Sequence, residues 1–153
     1  MKITLYHLAQ RFVGIKEVPG KQHNPLILSM LQLDAAWPEG DEVAWCSGFL
    51  NFICWLLRLP RSKSLRARSW LGVGTPVMLE DARVGWDIVI LSRGPGEQPG
   101  PEVIDAPGHV GLYAGHYTTR VLLLGGNQSD TVQVSQYARD RILGVRRLHD
   151  DTE

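Results

Sequence analysis

The sequence predicts an α+β domain, with helices in its first half and a mainly antiparallel sheet of about five strands in its second. Apolar residues recur at helical spacing up to about residue 70, and from Asp87 onward the pattern changes to that of strands. Helices that precede strands, instead of alternating with them, argue against βαβ units and a parallel sheet. At 153 residues the chain fits one domain, which buries roughly 70% of its unfolded surface and needs neither disulfide nor metal to fold. Residues 1–148 read as that single domain and 149–153 as a solvated, frayed tail.

Leu5, Leu8, Ala9 and Phe12 mark the first helix, which Gly14 is placed to end. Pro19-Gly20 turns the chain. Asn24-Pro25 is an N-cap followed by proline at the first helical position, and Leu26, Ile27, Met30, Leu31 and Leu33 continue a second helix. Trp37-Pro38-Glu39-Gly40-Asp41 closes it in a loop. A third helix starts around Cys46 and runs through Leu57; it is apolar almost all round, so it is the expected central helix. After Pro60, Ser64 is placed to cap a short helix through Trp70, ended by Gly72 and Gly74. Strands follow at Asp87 to Leu91, His109 to Ala114, Arg120 to Leu124, Thr131 to Ser135 and Leu143 to Leu148. Residues 92–108 are too rich in Gly and Pro for regular structure, and a loop this long is expected to be a flap beside a site.

Sixteen basic residues balance sixteen acidic ones, so nothing steers the chain toward nucleic acid or an anionic membrane. The start, MKITLYHLAQRFVG, has neither the apolar core nor the cleavage site of a secretory signal, and every apolar run is interrupted before membrane-spanning length. The expectation is a monomer made in the cytoplasm, without membrane insertion.

Both cysteines fall in the third helix. Eight helical residues span about 12 Å, too far for a Cys46–Cys54 disulfide. A free cysteine is most often a small buried hydrophobe, and that reading stands for Cys54 between Ile53 and Trp55. Cys46 differs because it sits at the first turn, where unpaired N–H groups and the helix dipole favour the thiolate, and Ser47 and Gly48 leave room beside it.

A nucleophilic cysteine needs an imidazole to take its proton and a third group to orient that imidazole. His7, His23, His116 and His149 read as solvated polar residues. His109 opens a strand in which alternation puts it on one face with Gly111 and Tyr113. If Ala114 pairs with Arg120, position 109 faces 125, and Asn127 is the diagonal neighbour at roughly 7–8 Å, with Gln128 pointing away. A bulge at Gly125-Gly126 would shift the register by one and exchange Asn127 and Gln128. Taken alone, Gly-Gly-Asn is ordinary turn chemistry.

Two cysteines without a CxxC pair give no structural zinc site, and no Gly-Lys-Ser/Thr makes a phosphate cradle. Asp41 and Glu42 are too few carboxylates for a calcium site. The basic run Arg58, Arg61, Lys63, Arg66 and Arg68 reads as a solvated helix face. Trp37, Trp45, Trp70 and Trp86 read mostly as core, although Trp45 adjoins Cys46 and is placed to line a sugar or peptide groove. No cofactor is expected.

WCSGF at 45–49, GWDIV at 85–89 and GHVGLY at 108–113, in this order and spacing, resemble the NlpC-type and CHAP-type cysteine peptidases that cut bacterial peptidoglycan, over roughly residues 40–128. More narrowly, EVPG, HNPLIL, DEVAWCSGFLN, RARSWL and LLGGNQSD resemble a subgroup of small phage and prophage-associated lytic proteins, over nearly the whole chain. The resemblance implies a papain-like fold, with Cys46 as nucleophile, His109 as general base and Asn127 as orienting group, and bacterial peptidoglycan as partner. It also implies delivery to the cell wall after synthesis. The Cys46 N–H with the Ser47 side chain is the expected oxyanion site, and Trp45 and Gln128 are expected at the substrate. Trp45 departs from the Asp that many NlpC-type relatives carry before the cysteine, and no second histidine is placed as third group. Endopeptidase and amidase chemistry both remain open, and so do a wall-binding or tail-structural module and an acyltransferase on the same scaffold.

Overall fold

Thr4 starts the first helix, α1 (Leu5–Gln10), by accepting the N–H of His7 on its Oγ1 at 3.1 Å. Asn24 does the same for α2 (Pro25–Gln32), with Oδ1 3.0 Å from the N–H of Leu26 and proline at the first helical position. In the computed structural model, which describes residues 2–18, 23–34 and 45–150, these helices and α3 (Cys46–Leu56) pack on a six-stranded antiparallel sheet. Pro19-Gly20, Trp37 to Asp41, Glu42 and residues 151–153 lie outside the described residues.

The strands are β1 (Thr75–Val77), β2 (Asp87–Ser92), β3 (Gly108–His116), β4 (Arg120–Gln128), β5 (Thr131–Ala138) and β6 (Ile142–Arg147), in the order β1-β6-β2-β3-β4-β5. The sixth strand, unforeseen from the sequence, is β1. It has three residues and contains Pro76, which an edge position tolerates because no neighbour needs its N–H on the open side. The expected short helix from Ser64 is instead a 3-10 helix at Ala67–Gly72, and the Ser64 Oγ accepts the Arg66 N–H in the turn before it.

Each sheet face carries an apolar cluster. Ile88, Ile90, Val110, Leu112 and Leu124 join the core beneath the helices, whereas Val89, Leu91, Tyr113, Val121 and Leu123 form a second cluster on the other face. Helix α3 is buried from Cys46 to Leu50 and at Ile53 and Cys54, but Trp55 and Leu56 are half exposed, so its apolar coat is not all core. The basic run divides as well: Arg61 pairs with Asp34 at 2.6 Å, and Arg68 is fully buried rather than part of a solvated face.

The β3–β4 hairpin is tighter than Ala114 opposite Arg120. Leu112 pairs with Leu124 and His116 with Val121, and the register shifts between Tyr113 and Gly115. Strand β4 also runs past Leu124 through the two glycines, so Gly125-Gly126-Asn127 is strand and bulge rather than a turn.

At the other end of the sheet, the buried Asp87 carboxylate accepts both Arg147 Nε and Nη2 at 2.8 Å, and the Arg83 N–H at 2.8 Å. This two-pronged pair ties β6 to the start of β2. Arg147→Ala would strand a carboxylate that is 1% exposed. It is expected to lower the unfolding free energy by about 3 kcal/mol in urea titration.

Candidate active site

Cys46 is the first residue of α3, and Trp45 before it is in a non-helical conformation. The approach of this helix end to the sheet is set by Gly126: a Cβ there would lie 2.6 Å from the Trp45 ring and 2.8 Å from the Phe49 Cβ. Only glycine lets the helix come so near. Trp45 is held from behind, its indole N–H donating to Glu17 Oε1 at 2.6 Å. Glu17 belongs to a segment zipped to β5, where Lys16 bridges Thr131 and the Glu17 N–H donates to Asp130 O.

The thiol of Cys46 is electrostatically coupled to the imidazole of His109, at the start of β3, and the backbone N–H groups of Val110 and Ser47 act on the sulfur as well. Both side chains are nearly enclosed, at 3% and 5% exposure. The His109 Nε2 lies 2.9 Å from Gln128 Oε1 and 3.2 Å from the Tyr137 hydroxyl, which leaves Nδ1 for the thiol.

The Gln128 amide is fixed in direction. Its Nε2 donates to the carbonyls of Leu123 at 3.1 Å and Gln133 at 2.5 Å, so the oxygen must face the histidine. A carbonyl oxygen only accepts; Nε2 therefore keeps its proton in either charge state of the ring, and Nδ1 is the nitrogen that takes the proton of Cys46.

Burial by itself pushes the Cys46 thiol up. The charge of His109, their hydrogen bond and the two N–H groups outweigh it and hold the thiol below its ordinary range. Burial also lowers the His109 imidazole, but the Cys46 charge and the bonds to Cys46 and Gln128 raise it overall, with Arg93 opposing. The pair thus favours thiolate and imidazolium. Tyr137 is pushed up to about 12, first by burial and then by the Cys46 charge. It stays a neutral phenol beside the ring. Cys54, buried in the core, is pushed up strongly and stays a thiol.

Asn127 is not the group on the imidazole. One extra residue enters β4 between Gly125, opposite Gln133, and Gln128, opposite Thr131. This bulge puts Asn127 at φ +57°, a left-handed conformation that asparagine tolerates, and turns Gln128 to the face of His109. Asn127 lines a cleft on the far side of the ring instead.

Ser47 and Trp45 are both fully buried and bonded to other parts of the chain. The fully buried Ser47 Oγ donates to Ser64 O at 2.6 Å and accepts the Trp70 indole N–H at 2.9 Å. Asn51 extends this knot, donating to Ser47 O and Ser64 O while accepting the Lys63 N–H. Ser47 therefore anchors α3 to the following segment and cannot reach an oxyanion. Trp45, also fully buried, packs on β4 rather than lining a groove. Gly111 gives the ring no spare room, since Leu123 Cβ lies 3.0 Å from where its own Cβ would be.

Sequence reasoning missed Glu17, Tyr137 and Arg68. Glu17 stands in EVPG, and Tyr137 follows Ser135 by the two-residue period once β5 extends to Ala138. Arg68 stands in RARSWL. It donates to the carbonyls of Pro107, Pro99, Gly100 and Val103, which holds the Gly/Pro-rich loop against the strand that begins with Gly108-His109. Its Nη2 is the one buried side-chain nitrogen or oxygen without a hydrogen-bond partner among the described residues. No three His, Cys, Asp or Glu side chains among those residues gather as a metal site would need.

A helix that presents a thiol to a histidine on an antiparallel sheet defines an α+β, NlpC-like architecture. By structure the chain is similar to NlpC1 from Trichomonas vaginalis, with a TM-score of 0.56 and 15% identity over 94% of this chain. It spans 42% of that protein's length, and the likeness is one of fold. No protein-family model and no curated protein matches the sequence.

Because the thiol is held below its ordinary range, alkylation of Cys46 by iodoacetamide is expected to set in well below the pH of about 8.5 at which a free cysteine ionises. Gln128→Ala removes a bond that favours the imidazolium, so the onset should move to higher pH. Its rate at about pH 6 should fall by about tenfold, as the loss of one hydrogen bond to a charged group predicts. Asn127→Ala should change that rate by no more than about twofold. Peptide mapping of the alkylated chain would identify the residue, with Cys54 unmodified.

Proposed function

We propose that the chain is a peptidoglycan hydrolase that cleaves an amide in or next to the stem peptide, as an endopeptidase or an amidase. The observation that carries this reading is the run Cys46–His109–Gln128 at the start of a buried helix, with the imidazole bonded to Gln128 and coupled to a thiol tuned toward thiolate. The NlpC-like fold supports the same class of chemistry. The five short motifs noted in the sequence support a lytic protein of phage or prophage type, which reaches the wall by release or delivery.

In this mechanism the Cys46 thiolate adds to the amide carbon, and the carbonyl oxygen becomes an oxyanion. The Cys46 N–H at the first helical turn, which has no partner within the helix, stabilises that charge. As the C–N bond breaks, the imidazolium gives its Nδ1 proton to the leaving amine, and a thioester remains on Cys46. Water then attacks the thioester, His109 takes its proton, and the acid leaves with regeneration of the thiol pair. Gln128 accepts the Nε2–H throughout and keeps Nδ1 aimed at the sulfur.

Turbidity of purified sacculi is expected to fall with the native chain and to stay constant with Cys46→Ala at unchanged circular dichroism. Undiminished lysis by that variant would overturn the assignment. Mass spectrometry of the released fragments separates the two bonds: a free lactyl carboxyl marks an amidase, and a new amine within the stem marks an endopeptidase.

A further inference from the structure

Beyond His109, on the side of its ring away from the sulfur, the sheet opens into a cleft of ≈330 Å³. Gln128, Tyr137 and Asn127 line it, and so do Arg93 and Arg141. Among the described residues no aspartate or glutamate lines it; Asp130 and Asp140, the nearest acids in sequence, are both outside. The whole chain balances its charges at sixteen to sixteen, so two cations without an acid are a local feature and not a general one.

Neither arginine is neutralised from within. Among the described residues Arg93 and Arg141 have no ion pair, and the hydrogen bond from the Arg141 guanidinium goes to the carbonyl of Gly94 at 3.3 Å, which ties it to the residue next to Arg93. Their fields reach the site: Arg93 acts on both His109 and Tyr137, and Arg141 on Tyr137. Guanidinium groups hold carboxylates through paired, charge-assisted hydrogen bonds, and neutral carboxamides far less well.

From this geometry we infer that the cleft is a subsite for a free carboxylate of the substrate peptide, held by Arg93 and Arg141. The inference rests on the proposed hydrolase reading for the class of substrate, and its test does not need turnover.

The full chain carrying Cys46→Ala is titrated by calorimetry with the tripeptide L-Ala-γ-D-Glu-meso-diaminopimelate and with the same peptide bearing carboxamides in place of its free carboxylates. The carboxylate form is expected to bind at least about tenfold more tightly, the range of a charge-assisted bond. Arg93→Gln combined with Arg141→Gln is expected to erase that preference. Equal affinity for the two peptides, binding of neither at millimolar concentration, or a preference that survives in the double variant overturns the inference. Failure of the hydrolase reading registers separately, as sacculi left intact by the native chain while the carboxylate preference of the variant persists.

Discussion

The contact of Trp45 and Phe49 with the bare backbone of Gly126 is the constraint from which the rest of the site follows. A helix end can point a thiol at a sheet only if it comes closer to one strand than side chains normally permit. Here the glycine removes the obstacle, and Glu17 clamps the indole from the opposite side. The same stretch of β4 that yields to the helix also bulges. Close approach and the reversal of side-chain direction at Gln128 are thus two results of one irregularity.

The groups bonded around the Cys46–His109 pair are neutral polar ones that each have a defined direction. The Gln128 amide cannot flip without losing two carbonyl partners, and its orientation in turn dictates which ring nitrogen of His109 carries a proton. An amide does this without adding a charge to an enclosed site, where a carboxylate would need a further partner to offset its desolvation. Tyr137 completes the surround as a phenol held far from ionisation. Around this centre the buried knot of Ser47, Asn51, Ser64 and Trp70 fixes the helix lengthwise, so the position of Cys46 depends on hydrogen bonds made on the side of α3 away from the chemistry.

Much of this was legible in the sequence because it depends on local pattern. Caps at Asn24, segregation of helices and strands, a cysteine at a helix start and a histidine opening a strand are all short-range signals. What was hidden depends on partners far along the chain. Ser47 and Trp45 read as site residues from adjacency to Cys46, but successive helical residues point about 100° apart, and the two are drawn inward by Trp70 and Glu17. The exchange of Asn127 for Gln128 hinged on one inserted residue, which period-two reasoning can name as an alternative but cannot choose. Strand β1 was too short to alternate. Arg68 sat in a run of basic residues and looked solvated, because nothing local reveals that a distant loop supplies four carbonyls to bury it.

That arginine also says something about how the loop between Ser92 and Gly108 can vary. Arg68 grips main-chain oxygens and makes no side-chain bond with the loop, so the hold is blind to the identity of what the loop displays. Residues such as Glu97, Ile104 and Asp105 can be exchanged while the backbone path stays anchored at three points before Pro107. The protein therefore carries, beside its reactive pair, a segment whose shape is specified from outside and whose surface is open to change. Such an arrangement lets the displayed surface drift without disturbing the frame that holds Cys46 and His109.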